Sequence, residues 1–321
     1  MLGSWPTPIE HLSTLSGNGT EVWVKRDDRS SGVYGGNKVR KLELLLGDAL
    51  ERGATRVVTF GAAGSHHVLA TTVHARSLGL QTAAVLVPQP WSEEAARNLR
   101  CALAAGLQPI PVRAEWRAPF ALARVLSARD RLILPGGSNV IGALGYVSAV
   151  EEIADAVLHH ELPEPDLIVA ALGSAGTVAG LLAGVVATRL RSTVVGVQVV
   201  DRAVPARWLA LGLASAACSR LGIVIAPWEL SSRLVTERKW IGRGYAHAAP
   251  WGDVAAARAR EAGLQLDGTY TAKAFADVLE RVERGGAGHV LFVHTLSAVR
   301  PAQESALPAE LAALFTGESV R

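Results

Sequence analysis

Runs of apolar, β-branched residues alternate with amphipathic stretches through almost the whole chain, the pattern of parallel strands joined by crossover helices. Strands are predicted near 21–25, 55–60, 82–88, 108–113, 131–135, 166–172, 193–200 and 289–294. Helices are predicted near 37–52, 66–78, 92–105, 140–160, 176–190, 203–220, 251–263 and 271–284. No repeat or low-complexity tract divides the chain, and the Pro- and acid-rich turn ELPEPD at 161–166 is its best punctuation. The expected class is α/β.

Composition narrows the function. At 321 residues the chain exceeds the usual size of one core, so one large α/β domain or two domains sharing a cleft is expected. Lys plus Arg number 32 against 29 Asp plus Glu, and the arginines are scattered, which argues against nucleic acid as a partner. Cys101 and Cys218 lack metal-ligand spacing and read as free thiols. The start MLGSWPTPIEHL has neither the basic residues nor the apolar stretch of a signal peptide, and no run of about 18 apolar residues follows. A cytoplasmic protein without a membrane segment or bound metal is expected.

Only five of the 32 cationic side chains are lysines: Lys25, Lys38, Lys41, Lys239 and Lys273. Chemistry that needs an amine able to lose its proton cannot use arginine. In GGNKVRKLE at 35–43, two glycines make a turn, Asn37 can cap, and a helix begins at about Lys38. The positive end of the helix dipole, with Lys41 one turn on, favours the neutral Lys38 amine and imine formation with an aldehyde. A plain cationic helix face, with Lys41 paired to Glu43 or Asp48, fits the same spacing.

Three further glycine turns follow strands. In DLIVAALGSAGTVAGLLAGV at 166–185, amides and hydroxyls from Ser174 to Thr177 suit a phosphate at a helix start, although a close-packed turn without ligand fits equally. Neither Walker nor GxGxxG spacing is present. In TFGAAGSHHVLATTVHA at 59–75, Ser65, His66 and His67 open a helix, where a hydroxyl can hold a carboxylate or relay a proton. Ser65 as a plain N-cap is the alternative, and the adjacent histidines lack metal spacing. The third turn lies in LPGGSNVIGALGYV at 134–147, while HVLFVHTLSA at 289–298 ends a strand with His294, Thr295 and Ser297. Ligands of open parallel sheets bind beyond the carboxyl ends of strands, where these loops would gather.

In this order the pieces resemble the pyridoxal-phosphate (PLP) family of D-cysteine desulfhydrase, 1-aminocyclopropane-1-carboxylate (ACC) deaminase and L-cysteate sulfo-lyase, most specifically in VKRDD at 24–28 followed by GGNKVRKLE. The resemblance covers nearly the whole chain. It implies a fold-type II PLP enzyme with two open twisted parallel-sheet α/β domains and the active site in the cleft between them. A larger PLP-binding domain, 1–45 with 146–321, would carry a smaller one inserted at 46–145, and the enzyme would be a homodimer. Lys38 would hold PLP as an imine. Gly173, Ser174, Ala175, Gly176 and Thr177, with Lys41, would bind its phosphate, and Thr295 would face the pyridine nitrogen. Ser65 would anchor the substrate carboxylate and relay a proton, with His67 beside it, while Tyr245 and Tyr270 would line the reacting side.

Within the family, deaminases resemble YEGK and HLGG at two C-terminal motifs, whereas desulfhydrases carry a hydroxyl residue at each variable position. The chain reads YTAK at 270–273 and HT at 294–295, so Thr271, as a substrate contact, and Thr295 favour the desulfhydrase side. Two departures stand out. His66 replaces an asparagine that bonds the 3′ oxygen of PLP, for which imidazole is a larger substitute donor, and Leu296 and Ser297 replace glycines. The implied reaction is β-elimination from a small amino acid. An ACC deaminase, a β-replacement enzyme, a catalytically silent PLP-binding protein and a nucleotide-binding α/β protein are the rivals.

Overall fold

A computed structural model describes residues 1–201, 204–244, 246–247 and 249–316. Its strands are β1 (Ile9–His11), β2 (Thr20–Lys25), β3 (Arg56–Ala62), β4 (Gln81–Val87), β5 (Gln89–Pro90), β6 (Leu107–Pro111), β7 (Asp130–Ile133), β8 (Leu167–Leu172), β9 (Thr193–Gln198), β10 (Leu234–Glu237), β11 (Gly288–Val293) and β12 (Phe315–Thr316). The helices are α1 (Asn37–Glu51), α2 (His66–Ser77), α3 (Glu93–Ala104), α4 (Ala118–Val125), α5 (Val140–Leu158), α6 (Gly176–Thr188), α7 (Ala206–Arg220), α8 (Pro227–Ser232), α9 (Pro250–Glu261), α10 (Thr271–Arg284) and α11 (Ala309–Ala312).

One sheet runs β1-β2-β11-β8-β9-β10 and is parallel except for β1, which pairs antiparallel with β2 at the edge. A second, wholly parallel sheet runs β6-β4-β3-β7. Both bury both faces, which is why their strands read as nearly continuous apolar runs. Along β11, Leu291 and Val293 join α5, α6 and α7 on one side, while Val290 and Phe292 join α9 and α10 on the other. In the second sheet Val57, Ala84 and Leu86 pack with α1, α2 and α3, and Val58, Ala83 and Val85 pack with α4. Helix α1 contributes Leu42, Leu45, Leu46 and Ala49 to the second sheet's core, and α5 serves the first.

All eight expected strands and eight expected helices are present, with shifted ends. Expectation missed short elements: the edge strand β1, β10, the β5–β12 pair, and helices α4, α8 and α11. Four residues or fewer of strand show too little alternation to register, and eight residues of α4 show barely two turns. No helix among the described residues is long and apolar enough to cross a membrane.

Helix α6 lies close against α5 because glycines line the contact. A Cβ on Gly180 would sit 2.2 Å from the Ala143 carbonyl oxygen and 2.4 Å from the Tyr146 Cβ. Gly180→Val is therefore expected to cost about 3 kcal/mol through overpacking, read as a lower midpoint in urea unfolding. It should also loosen the glycine loop at the start of α6.

Candidate active site

The turn before α1 is locked to the residues after β11. Gly36 adopts φ +85°, and a Cβ there would meet the Thr295 carbonyl oxygen at 2.5 Å, so the position admits only glycine. The Asn37 amide donates to that same carbonyl at 3.1 Å, and the Gly35 amide donates to the Ser297 hydroxyl at 2.7 Å. Asn37 does not cap α1 as expected. Its side-chain amide donates to Thr177 Oγ1 at 3.0 Å, and its carbonyl accepts from Lys38 Nζ at 2.6 Å.

Lys38 stands in the first turn, partly buried, with Nζ 5.6 Å from the centre of the Tyr270 ring. Burial lowers its amine to about 8, against the opposing field of Asp267. Lys41 is fully buried, and its Nζ donates to Thr177 Oγ1 at 3.1 Å. Burial, then the charge of Lys38, pushes its amine well below the ordinary lysine value. The alternative pairing with Glu43 or Asp48 does not form: Glu43 accepts from the Trp5 indole and Asp48 pairs with Arg52.

The loop after β8 passes through Gly173 and Ser174 to Ala175, which has φ 73°, before α6 begins. Ser138, from the turn after β7, bridges the two sheets. Its hydroxyl donates to Ser174 Oγ at 2.8 Å and accepts from the Gly176 amide at 3.1 Å. A Cβ on Gly176 would fall 2.6 Å from Ser138 Oγ, and one on Gly136 only 2.0 Å from Ser174 Oγ. A left-handed residue followed by helix turns successive amides toward one point, a concavity suited to an anion.

Ser65 caps α2, accepting from the His67 amide at 3.2 Å. His67 is buried with Nε2 2.9 Å from Thr59 Oγ1, and burial, Lys38 and Lys41 lower its imidazole to about 3. His66 opens α2 with its Nδ1 2.6 Å from Tyr34 OH and 3.4 Å from the Asn98 side-chain amide, while its Nε2 faces Glu94 Oε1 at 3.6 Å. Burial raises the Tyr34 phenol above its ordinary value and lowers His66 to about 4.

Thr295 is almost buried at the end of β11. Tyr270 precedes α10 and packs on Gly173, where a Cβ would lie 3.3 Å from its Cε1. Thr271, expected to touch substrate, is 1% exposed, and its hydroxyl bonds Asp267. Tyr245 lies outside the described residues. Lys38, Lys41, the 173–177 loop, Tyr270 and Thr295 are brought together. Sequence reasoning missed Asn37 as a bridge, Ser138, Tyr34 and Asp267; only the Asp-Gly step before Tyr270 marked the last as a turn former.

These residues fit PLP on chemical grounds. Lys41 is a buried amine whose Nζ donates to a neutral hydroxyl, and an anion beside it would offset the cost that burial places on its charged form. The amides at the start of α6 face the same place, and Lys38 is an amine near neutrality that can condense with an aldehyde. Residues 1–295 match the family described as pyridoxal-phosphate dependent enzyme. A putative ACC deaminase of Pyrococcus abyssi is 34% identical over 91% of this chain and 89% of its own. The nocardicin C-9′ epimerase of Nocardia uniformis is 35% identical over 90% of each. A D-cysteine desulfhydrase of Klebsiella pneumoniae is 33% identical over 90% of this chain and 91% of its own. The crystal structure of an ACC deaminase homologue superposes with a TM-score of 0.80 at 32% identity, over 92% of this chain and 90% of that one. With its fold-type II architecture and its paired lysines over an anion cradle, the chain belongs to the pyridoxal-phosphate-dependent enzymes, in the group of ACC deaminase and D-cysteine desulfhydrase.

Proposed function

We propose that the protein is a lyase that performs β-elimination on a small amino acid, as a D-cysteine desulfhydrase does, giving a 2-oxo acid, ammonia and sulfide. The observation that carries it is the Lys38 amine, lowered to about 8 and facing the 173–177 loop across Asn37 and Thr177. Thr295, locked to Asn37 through its carbonyl, supports the desulfhydrase reading, since desulfhydrases carry a hydroxyl residue at this position where deaminases resemble HLGG.

Bound PLP supplies an electron sink for the α carbon. Lys41 and the amides of 174–177 would hold its phosphate, and Lys38 would hold its aldehyde carbon and exchange the α proton of the substrate. Ser65 and the first amides of α2 grip the substrate carboxylate, with His67 as a neutral neighbour. Tyr270 and Tyr245 contact the leaving group. The proposed domains, 1–45 with 146–321 and 46–145, would each take one sheet with the cleft between them, Leu42 and Leu45 of α1 reaching across to pack with the second sheet. A cytoplasmic homodimer is the proposed setting, supported for the compartment by two buried free cysteines.

The test is parallel incubation of the holoenzyme with D-cysteine, L-cysteate, D-serine and ACC. Sulfide and pyruvate in equal amounts from D-cysteine are expected. Ammonia and 2-oxobutyrate from ACC would make it a deaminase, and α-deuterium exchange without elimination in heavy water would make it an epimerase. No product from any of the four would sink the lyase reading.

A further inference from the structure

We propose that Asp267 and Lys273 are positioning residues that set the Tyr270 turn and the 241–244 turn beside it, and that Thr271 acts through Asp267 instead of touching substrate. The inference rests on the reading of Tyr270 as a leaving-group contact.

Asp267 is 4% exposed, and its carboxylate gathers the whole turn that carries Tyr270. Oδ2 accepts from the Thr269 amide at 3.0 Å and the Tyr270 amide at 2.7 Å. Oδ1 accepts from the Thr271 amide at 3.0 Å and from its hydroxyl at 2.6 Å. That hydroxyl in turn accepts from the Asp267 amide at 2.7 Å. Four charge-assisted bonds to one carboxylate at a helix start leave the backbone at Tyr270 little freedom. The ring therefore leaves that backbone in one direction, over Gly173 and beside Lys38. Thr271 has no polar atom left for a substrate: with 1% exposure and its hydroxyl both donating and accepting, it closes the clamp.

Lys273 lies two residues further along α10 and is wholly buried. Its Nζ donates to the Ile241 and Gly244 carbonyls, each at 2.8 Å, and so ties the 241–244 turn to α10. Asp267 supplies the negative field that opposes the loss of charge burial would impose on Lys273. The start of α10 thus holds the Tyr270 turn and the 241–244 turn together.

The groups whose charge bears on the Lys38 site are Lys41 on its own helix, His66 and His67 at the start of α2, and Asp267 before α10. Asp267 is the negative one, and it raises the Lys38 amine. Removing its charge should therefore let that amine lose its proton at lower pH.

The experiment compares Thr271→Val, Thr271→Ser, Asp267→Asn, Lys273→Met, Lys273→Arg and Tyr270→Phe, with the double variant Thr271→Val/Tyr270→Phe. Sulfide release from D-cysteine is one readout, and the pH midpoint for PLP capture by the apoprotein is a second that needs no substrate. Thr271→Val, Asp267→Asn and Lys273→Met should each lower kcat about tenfold or more with a smaller change in KM. Thr271→Ser and Lys273→Arg should recover most of it. The double variant should be hardly worse than Tyr270→Phe, because a clamp has nothing to position once the phenol is gone. Asp267→Asn should move the capture midpoint to lower pH, and Thr271→Val should leave it in place. Multiplying losses in the double variant, or an unmoved midpoint in Asp267→Asn, would overturn the proposal. Full turnover by Tyr270→Phe would instead remove the reading of Tyr270 on which it rests. If Asp267→Asn does not fold, the Thr271 pair decides: wild-type kcat in Thr271→Val refutes the clamp.

Discussion

Lys38→Ala is expected to lose the bound-cofactor absorbance near about 410–430 nm and to lower turnover by at least about a thousandfold. Two lysines one helical turn apart face the same site, so the question is which of them meets the aldehyde. Lys41 is deeper, with its Nζ on Thr177 at the mouth of the glycine loop, where an anion belongs. Lys38 is partly open to the cleft, beside the Tyr270 ring, and its amine at about 8 keeps a useful fraction neutral near physiological pH. Lys41→Ala should therefore still capture PLP, with affinity weaker by about tenfold to a hundredfold from the lost counter-charge. Borohydride reduction followed by peptide mapping separates the two. An adduct on Lys38 in wild type and in Lys41→Ala, and none in Lys38→Ala, is the expected pattern. An adduct on Lys41 would exchange the roles of the two lysines.

The long elements of this fold were legible because doubly covered parallel strands are apolar along their whole length and their helices span several turns. The cradle was legible as well, since glycine loops after strands advertise close backbone approach. Side-chain partners were harder to read. Asn37 looked like a cap because it preceded a helix, yet across the fold Thr177 offered its amide a partner that the local turn did not. Thr271 looked like a substrate contact because it varies between enzyme types, but only three-dimensional packing shows its hydroxyl turned to Asp267. His66 was read as a replacement donor for a cofactor oxygen. Its engagement with Tyr34, 32 residues away in sequence, follows from the meeting of α2 with the turn before α1, which no local pattern encodes.

Asp27→Ala is expected to destabilise the protein by about 3–5 kcal/mol at neutral pH, measured by urea unfolding, because it strips one partner from a buried ionic network. Asp27 is fully buried and accepts from the Arg40 guanidinium at 2.8 and 2.9 Å, from Tyr146 OH at 2.7 Å and from Thr7 Oγ1 at 2.8 Å. Arg40 also bonds Glu152, which pairs with Lys25 at 2.6 Å. Burial alone would raise the Asp27 carboxyl, but Arg40 and Lys25 outweigh it and hold the group below the ordinary carboxylate range. Burial likewise opposes Asp28, which His294 at 3.1 Å and the Arg26 guanidinium bring down to about 2. With native values below the unfolded ones, the unfolded chain binds more protons as pH falls, so this stabilisation is complete above about pH 4 and is lost toward about pH 2. Wild type should therefore lose stability steeply across that window, and Asp27→Ala should lose less there because it has already forfeited the Asp27 share. An equal acid slope in the two proteins would show that the network contributes nothing through Asp27. The network also bears on the site: the Asp27 carbonyl accepts from the Gly36 amide at 2.9 Å, and Arg40 lies on α1 between Lys38 and Lys41. Loosening it should therefore weaken PLP retention before the protein unfolds.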